Sequence, residues 1–375
     1  MSIESQPLHA SPSAKSSREY PIGAEIIGDG VSFRVWAPAQ TSVSLLLLDG
    51  SERAMDRDKE GYFSLNVQGI GSGALYRFKL SDSAAPAADP ASRYQPEGPS
   101  GPSMVVDPDD FTWHDQDWQG VGPCHQVLYE MHIGTFTCEG TYAAAGEKLP
   151  FLKEIGITCL EVMPVNEFCG EFGWGYDGVL PYAPTRLYGE PDDLRRFIDS
   201  AHQLGMGVIL DVVYNHFGVG DRFRDFSRDY FTDRYWNEWG SSINFDGDNS
   251  ERVREFIAKN AAYWIDEYHF DGLRLDATQA LYDSSRVHII AEIAENARAA
   301  ARKKIYLVAE NEPQDTRLVR GFEQSGYDVD ALWNDDFHHS AMVALTGRNE
   351  AYYHDHTGRA QEFVPSAKYG YLFQG

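Results

Sequence analysis

Cysteine is scarce in this chain: Cys124, Cys138, Cys159 and Cys169 are the only 4 among 375 residues. None sits in a Cys-x-x-Cys pair, so the spacing suits neither a zinc site nor a dense disulfide framework, and a reduced, cytoplasmic setting is expected. Long apolar runs are missing too, so no segment reads as a membrane span and no membrane partner is expected. Residues 1–19, rich in Ser, Pro and Ala, lack the apolar stretch of a signal peptide and read as a disordered tail. Positive charge is in deficit: 32 Lys and Arg face 57 Asp and Glu, a formal net charge of -25. Phosphate binding needs a basic stripe, so nucleic acid is excluded as a partner. Anionic lipid is repelled as well. A neutral substrate suits this charge, although acidity also serves solubility alone. No G-x-G-x-x-G follows the first strand of the α/β region, which argues against a Rossmann nucleotide fold.

Aromatic residues, by contrast, reach 13%, with 8 Trp and 21 Tyr. Flat rings serve sugar clefts as apolar platforms, and large cores collect them as well. From Tyr20 to about Asp82 short alternating runs predict strands: Val31–Trp36, Val43–Leu48, Gly61–Val67 and Ala74–Leu80, separated by turn residues. This stretch, 20–82, reads as a small all-β sandwich of the carbohydrate-binding kind. Residues 83–125, rich in Pro, Asp, Ser and Gly, read as a connector lying over the surface.

From 126 to 375 the rhythm changes. Strands are expected at Val127–Ile133, Thr158–Met163, Gly207–Val213, Leu273–Asp276, Ile305–Glu310 and near Asp330–Trp333. Helices are expected near Gly146–Ile155 and over Pro191–Leu204, Asn249–Tyr268 and Val287–Arg302. Strand–helix alternation implies a parallel sheet, and strands apolar throughout imply burial on both faces. The fold class is therefore α/β: a (β/α)8 TIM-type barrel of about six units, incomplete at its C-terminus, whose chemistry lies at the C-terminal strand ends. An open doubly wound sheet is the alternative.

Three acidic segments end such strands: Asp211-Val-Val-Tyr-Asn-His216, Gly272-Leu-Arg-Leu-Asp-Ala277 and Leu307-Val-Ala-Glu-Asn-Glu312. Two carboxylates on neighbouring strand tips are what glycosidic bond cleavage needs, one to attack the anomeric carbon and one to protonate the departing oxygen. Arg274 shares a face with Asp276 and is expected to keep it ionised, as a nucleophile must be; a purely structural ion pair is the alternative. Glu310, emerging from apolar Tyr306-Leu-Val-Ala, has the profile of a general acid, with Glu312 as its rival. Asp211 and His216 are candidates for sugar hydroxyls, against a loop cap and a core imidazole. Asn215 has no cluster of oxygen ligands around it, so no metal is expected. Trp174 and Tyr176, in the Gly-spaced loop Gly173–Gly178, are candidate stacking platforms, or else anchors of a tight turn.

These three segments, in this order and strand context, resemble signature regions of the α-amylase superfamily, and the resemblance extends from about residue 20 to the end. Asp89–Pro99, Ala309–Gln314 and Leu332–His339 further resemble the maltooligosyltrehalose trehalohydrolases within it. That resemblance implies hydrolysis, with retention, of the α-1,4-glucosidic bond next to the terminal trehalose of a malto-oligosaccharide. It implies Asp276 as nucleophile and Glu310 as acid, then base. It also implies sugar contacts from Asp335, Asp336, His338 and His339, a functional link to maltooligosyltrehalose synthase in trehalose biosynthesis, and no cofactor or calcium. A glycogen or starch branching enzyme is a second reading, and an inactive carbohydrate-binding fragment a third. The superfamily also carries a third acid in an Asn-His-Asp motif near the seventh strand. No such motif occurs before Gly375, and His354-Asp355-His356 lies in no strand context. The sequence therefore reads as a fragment without its last two barrel strands, expected to be marginally stable and weakly active alone.

Overall fold

The computed structural model of the chain describes residues 15, 17–83, 85–122 and 124–372. The expected tail therefore lies outside the described residues through 14 and at 16. Arg18, at its end, is tied to the β-region by bonds to the carbonyls of Ser32 and Gly23 and by an ion pair with Glu25.

Strands β1 (Gly23–Ile27), β2 (Gly30–Trp36), β3 (Val43–Leu47), β4 (Glu52–Ala54), β5 (Asp56–Arg57), β6 (Tyr62–Gln68), β7 (Leu75–Leu80) and β8 (Ser103–Met104) form two antiparallel sheets. Their orders are β1-β2-β6-β5 and β4-β3-β7-β8. Period-two patterning decides the faces: Val43, Leu45 and Leu47, like Tyr76, Phe78 and Leu80, point inward, while Lys79 remains outside. Phe33 meets Tyr76 edge-on at 4.8 Å between the sheets.

The sandwich shares one apolar core with the α/β region. Trp36 packs on Tyr230 at 5.2 Å, Phe78 on Phe226 at 6.4 Å, and the Tyr62 hydroxyl donates to Glu255 at 2.8 Å. The segment expected to lie over the surface does not: Asp89, Ser92, Arg93 and Gln95 are buried, and β8 pairs with β7. Its Asp89 accepts the Tyr76 hydroxyl and the Ala91 N–H, so these polar residues cap the sandwich from within rather than solvating a linker.

Next come β9 (Leu128–Met131), β10 (Cys159–Val162), the bulged antiparallel pair β11 (Asn166–Phe168) and β12 (Gly178–Pro184), and then β13 (Gly207–Val212). A short hairpin, β14 (Phe231–Thr232) and β15 (Ser242–Ile243), precedes β16 (Gly272–Leu275), β17 (Tyr306–Ala309) and β18 (Ala331–Leu332). Six of these pair in parallel, in the order β18-β17-β16-β13-β10-β9. The sheet curls as an incomplete (β/α)8-type barrel: β9 and β18 stand at its two edges among the described residues, and β10, β13, β16 and β17 are buried throughout. Gly272 is required where β16 and β17 approach, because a Cβ there would lie 1.8 Å from the Tyr306 carbonyl oxygen. The helix Pro191–Gln203 opens with proline in its first turn and a reciprocal cap between Glu190 and Asp193. Helices Ser250–Asp266 and Ile289–Ala300 are the crossovers on either side of β16.

At the N-terminal end of the sheet a buried charge cluster ties these parts together. His202 lies between Asp115, at 2.9 Å, and Asp271, at 2.8 Å. Asp271 also accepts the Val208 N–H and the Trp118 indole N–H and faces Lys303 at 3.1 Å, while His269 reaches Asp115 at 2.8 Å. Burial lowers the proton affinity of His202, but the two carboxylates outweigh it and the imidazole pKa is raised; Asp115 and Asp271 are lowered, their partners outweighing burial. A raised histidine stabilises the fold below about pH 6.5 and loses that contribution as pH rises through its folded value. A depressed aspartate stabilises above about pH 4 and loses that contribution as pH falls. The thermal midpoint of the protein is thus expected to be highest between these limits. His202→Gln should lower the midpoint at pH 6 by about 4 °C or more and flatten its alkaline decline. Calorimetry from pH 5 to 8.5 checks this, and an unaltered slope in the variant would remove the cluster as its cause.

Candidate active site

Three adjacent strand ends build the site. Asp211 in β13 pairs in register with Arg274 in β16, and Arg274 in turn with Val308 in β17. Alternation turns Arg274 and Asp276 to one face, with Asp276 one residue past the end of β16 and Glu310 one past β17. The Asp276 N–H donates to the Val212 carbonyl at 3.1 Å and the Glu310 N–H to the Leu275 carbonyl at 2.9 Å, so both tips are held by continued sheet hydrogen bonding.

The Arg274 guanidinium is the hub. Its Nη1 lies 2.9 and 3.1 Å from the Asp211 carboxylate oxygens and 2.6 Å from Asp276 Oδ1; its Nη2 lies 3.1 Å from Glu310 Oε2. Asp276 and Glu310 come within hydrogen-bonding reach of each other. Ala277 follows in a left-handed conformation, with φ 39, and its N–H donates to Glu310 Oε2 at 3.0 Å. A non-glycine residue held there costs about 1–3 kcal/mol, strain of the kind that gathers at functional sites. The Thr278 hydroxyl donates to the Glu310 carbonyl at 2.5 Å and accepts the Asn311 side chain at 3.1 Å, bracing the β17 tip.

Burial pushes the Asp276 carboxyl up to about 6, against the pull of Arg274 and with a further push from Glu310. Arg274 pulls the carboxyl down as expected, but desolvation outweighs the guanidinium, so the net shift is upward and the carboxyl is still mostly ionised at pH 7. The apolar walls expected around Glu310 are also not what its carboxylate meets, since Arg274 and the Ala277 N–H hold it. Glu310 is the most open of the group, with 35% of its side chain exposed.

A model described as "Alpha amylase, catalytic domain" matches residues 105–244, and one described as "Carbohydrate-binding module 48 (Isoamylase N-terminal domain)" matches residues 21–100. The chain is 42% identical over 353 residues to the malto-oligosyltrehalose trehalohydrolase of Saccharolobus solfataricus, covering 94% of this chain and 62% of that protein. A crystal structure of a putative alpha amylase from Salmonella typhimurium superposes with a TM-score of 0.89 at 42% identity, over 96% of this chain and 61% of that one. Residues 105–244 thus match the catalytic domain of the α-amylases. A 1,4-alpha-glucan branching enzyme of Pseudoalteromonas atlantica, 34% identical, matches over 66% of this chain and 38% of its own. The chain thus spans about three fifths of the length of its trehalohydrolase relative.

Around the carboxylate pair the remaining candidates are distributed unevenly. Asp211 has no side-chain exposure: its oxygens are taken by Arg274 and by the Tyr176 hydroxyl at 2.8 Å. The direct sugar contact expected of Asp211 is therefore replaced by a supporting place beneath Arg274. Tyr176 is half-buried by the same bond; Gly175, at φ 96 and with Pro164 against it, turns the loop so that the hydroxyl reaches Asp211. Trp174 is 73% exposed and free to stack. His216 is buried against Asn215 and stacks on Trp239 at 5.9 Å; burial lowers its pKa, so it is neutral at pH 7. Asp335 begins the helix Asp335–Thr346 near Glu310, and burial with Glu310's charge pushes its carboxyl up to about 6. Asp336 is buried and accepts the Leu372 N–H at 2.8 Å. His338 and His339, one helical turn on from Asp335 and so on the same side of the helix, meet Tyr353 at 6.2 and 5.1 Å, and His338 is near enough to Asp335 for its charge to oppose the rise of that carboxyl.

Sequence reading missed Glu161, Thr278, Asn311 and Trp239. Glu161 had a signal, an acid inside the apolar strand Cys159-Leu-Glu-Val162, and Asn311 lies within a segment that carries the resemblance; Thr278 had none. Among the described residues no group of three or more His, Cys, Asp or Glu side chains is placed to hold a metal ion, and no helix is long and apolar enough to cross a membrane.

Proposed function

We propose that this protein is a retaining glycoside hydrolase that cleaves the α-1,4-glucosidic bond next to the terminal trehalose of a malto-oligosaccharide and releases trehalose. The observation that carries the reading is the pair of carboxylates, Asp276 and Glu310, bridged by one guanidinium on neighbouring strand tips. The identity to a trehalohydrolase over 94% of this chain, beyond the coverage of the branching enzyme, supports this substrate.

In this reading ionised Asp276 attacks the anomeric carbon of the glucosyl unit, while protonated Glu310 gives its proton to the departing trehalose oxygen. Water then attacks the glycosyl–Asp276 ester as Glu310 takes a proton back, so the α-configuration is retained. A sugar must first part the two carboxyls to about 5 Å. The exposed Glu310 side chain is the one able to move, exchanging Arg274 Nη2 and the Ala277 N–H for the substrate. Trp174 stacks on a glucosyl ring, and Asp335 offers its carboxyl to hydroxyls beside the pair. Four unpaired cysteines fit a cytoplasmic setting. A synthase that makes the trehalose-capped chain is the functional partner of such an enzyme.

Incubation with maltooligosyltrehalose and, separately, with amylose is the test. Free trehalose with the shortened oligosaccharide is expected; new α-1,6 branches on amylose would give the transferase reading, and no product from either substrate would leave only binding.

A further inference from the structure

Arg274 has an edge that the catalytic pair does not use. Its Nε is buried and makes no hydrogen bond among the described residues. Facing it at 3.8 Å is Glu161 Oε1, on β10, with 5% of its side chain exposed. One guanidinium therefore stands among four carboxyl groups: Asp211, Asp276 and Glu310 on its Nη side and Glu161 on its Nε side. Four negative charges around one positive charge, three of them largely buried, are costly, so the cluster keeps protons at neutral pH.

We propose that Glu161 is a positioning residue that widens the working pH range of the catalytic pair by acting through the Nε edge of Arg274. The proposal rests on the hydrolase reading above. Protonated, Glu161 leaves the guanidinium to Asp276 and Glu310, so the nucleophile is held ionised. Ionised, it draws Nε into an ion pair and adds negative charge beneath the site. The remaining proton of the cluster is then harder to remove, and an acid is retained at higher pH.

The surroundings place this change in the neutral range. Burial pushes the Glu161 carboxyl up to about 7, opposed by Arg274 and reinforced by Glu130 on β9 and by Glu310. The other titratable groups around it are Asp211 on β13, Cys159 on its own strand and Tyr306 on β17. Burial raises all three, which takes Cys159 and Tyr306 further above neutral pH, while Asp211, raised from the ordinary carboxylate range, shares the protons of the cluster with Glu161. In register, Glu161 lies opposite Glu130 on one side and apolar Ile209 on the other, so Arg274 is its nearest cation.

Glu161→Gln keeps the shape and removes the charge. The pH profile of kcat/KM on maltooligosyltrehalose is expected to keep its acid limb and to lose activity earlier on the alkaline side, by about 0.5–1 pH unit. Glu161→Asp should restore part of that width. A second arm needs no turnover: the ¹⁵N shift of Arg274 Nε should titrate between pH 6 and 8 in the wild type and stay flat in Glu161→Gln. An unmoved alkaline limb, or an equal loss at every pH, overturns the proposal, as does an Arg274 Nε that does not titrate in the wild type. Absence of trehalose release by the wild type instead sinks the hydrolase reading, and the nuclear resonance arm still decides whether Glu161 titrates against Arg274.

Discussion

Asp276→Asn is expected to reduce trehalose release by about 10³-fold or more, with the thermal midpoint unchanged or raised. The loss follows from the reaction: without a carboxylate no glycosyl ester forms, and catalysis that remains comes from binding and from the acid alone. The midpoint follows from electrostatics. A carboxyl whose folded pKa is raised to about 6 is less comfortable ionised in the folded protein than in the unfolded chain. At pH 7 that charge opposes folding, and removing it relieves the cost, offset in part by the weaker hydrogen bond that Arg274 makes to a neutral amide oxygen. Residual activity within about tenfold of wild type would place the nucleophile elsewhere. In the wild type the same pKa sets the acid limb of kcat/KM, which should fall below about pH 6 with the slope of a single proton. A limb near pH 4 would mean that substrate-free Asp276 is held by Arg274 alone.

Six parallel strands were legible because each is a short apolar run between polar segments, and such a run signals burial on both faces. The hairpin of β11 and β12 was not. Its first strand has three residues with a bulge at each step, too short and irregular to leave a period. The burial of 87–95 escaped for a different reason: Asp89, Ser92 and Gln95 are polar, and only the tertiary fold supplies the partners that let polar residues lie inside.

At the site, spacing within one strand put Arg274 beside Asp276, because alternation is local. The reach of Arg274 to Asp211, Glu310 and Glu161 depends on register across four strands, which a single sequence does not carry. The net upward shift of the Asp276 carboxyl was not legible on the same ground. A neighbour two residues away can be read from sequence, whereas the depth of burial cannot. His338 and His339 were grouped with Asp335 by adjacency, and the helix does keep the three on one side, one turn apart; that the two imidazoles also meet Tyr353 could not be read from spacing.

Arg274 is where stability and activity are joined, and Arg274→Met should be the most destabilising single change in the site. Removing the guanidinium leaves Asp211, Asp276, Glu161 and Glu310 without their common cation, three of them largely buried. Breaking such a buried pair from one side costs about 3–5 kcal/mol, because the unpaired charge remains behind. Urea unfolding at pH 7.5 should register that loss as an earlier midpoint with little change in slope. The loss should shrink markedly at pH 5. There the orphaned carboxyls, whose proton affinity rises once the cation is gone, take up protons and no longer need it. Asp211→Asn in the same chain should recover part of the pH 7.5 loss, since it removes the most deeply buried of the unpaired charges. A deficit of equal size at both pH values, untouched by Asp211→Asn, would mean that Arg274 stabilises by packing its alkyl stem and not by charge. The reading of one guanidinium serving four carboxyl groups would then fall, and the proposed action of Glu161 through Nε would fall with it.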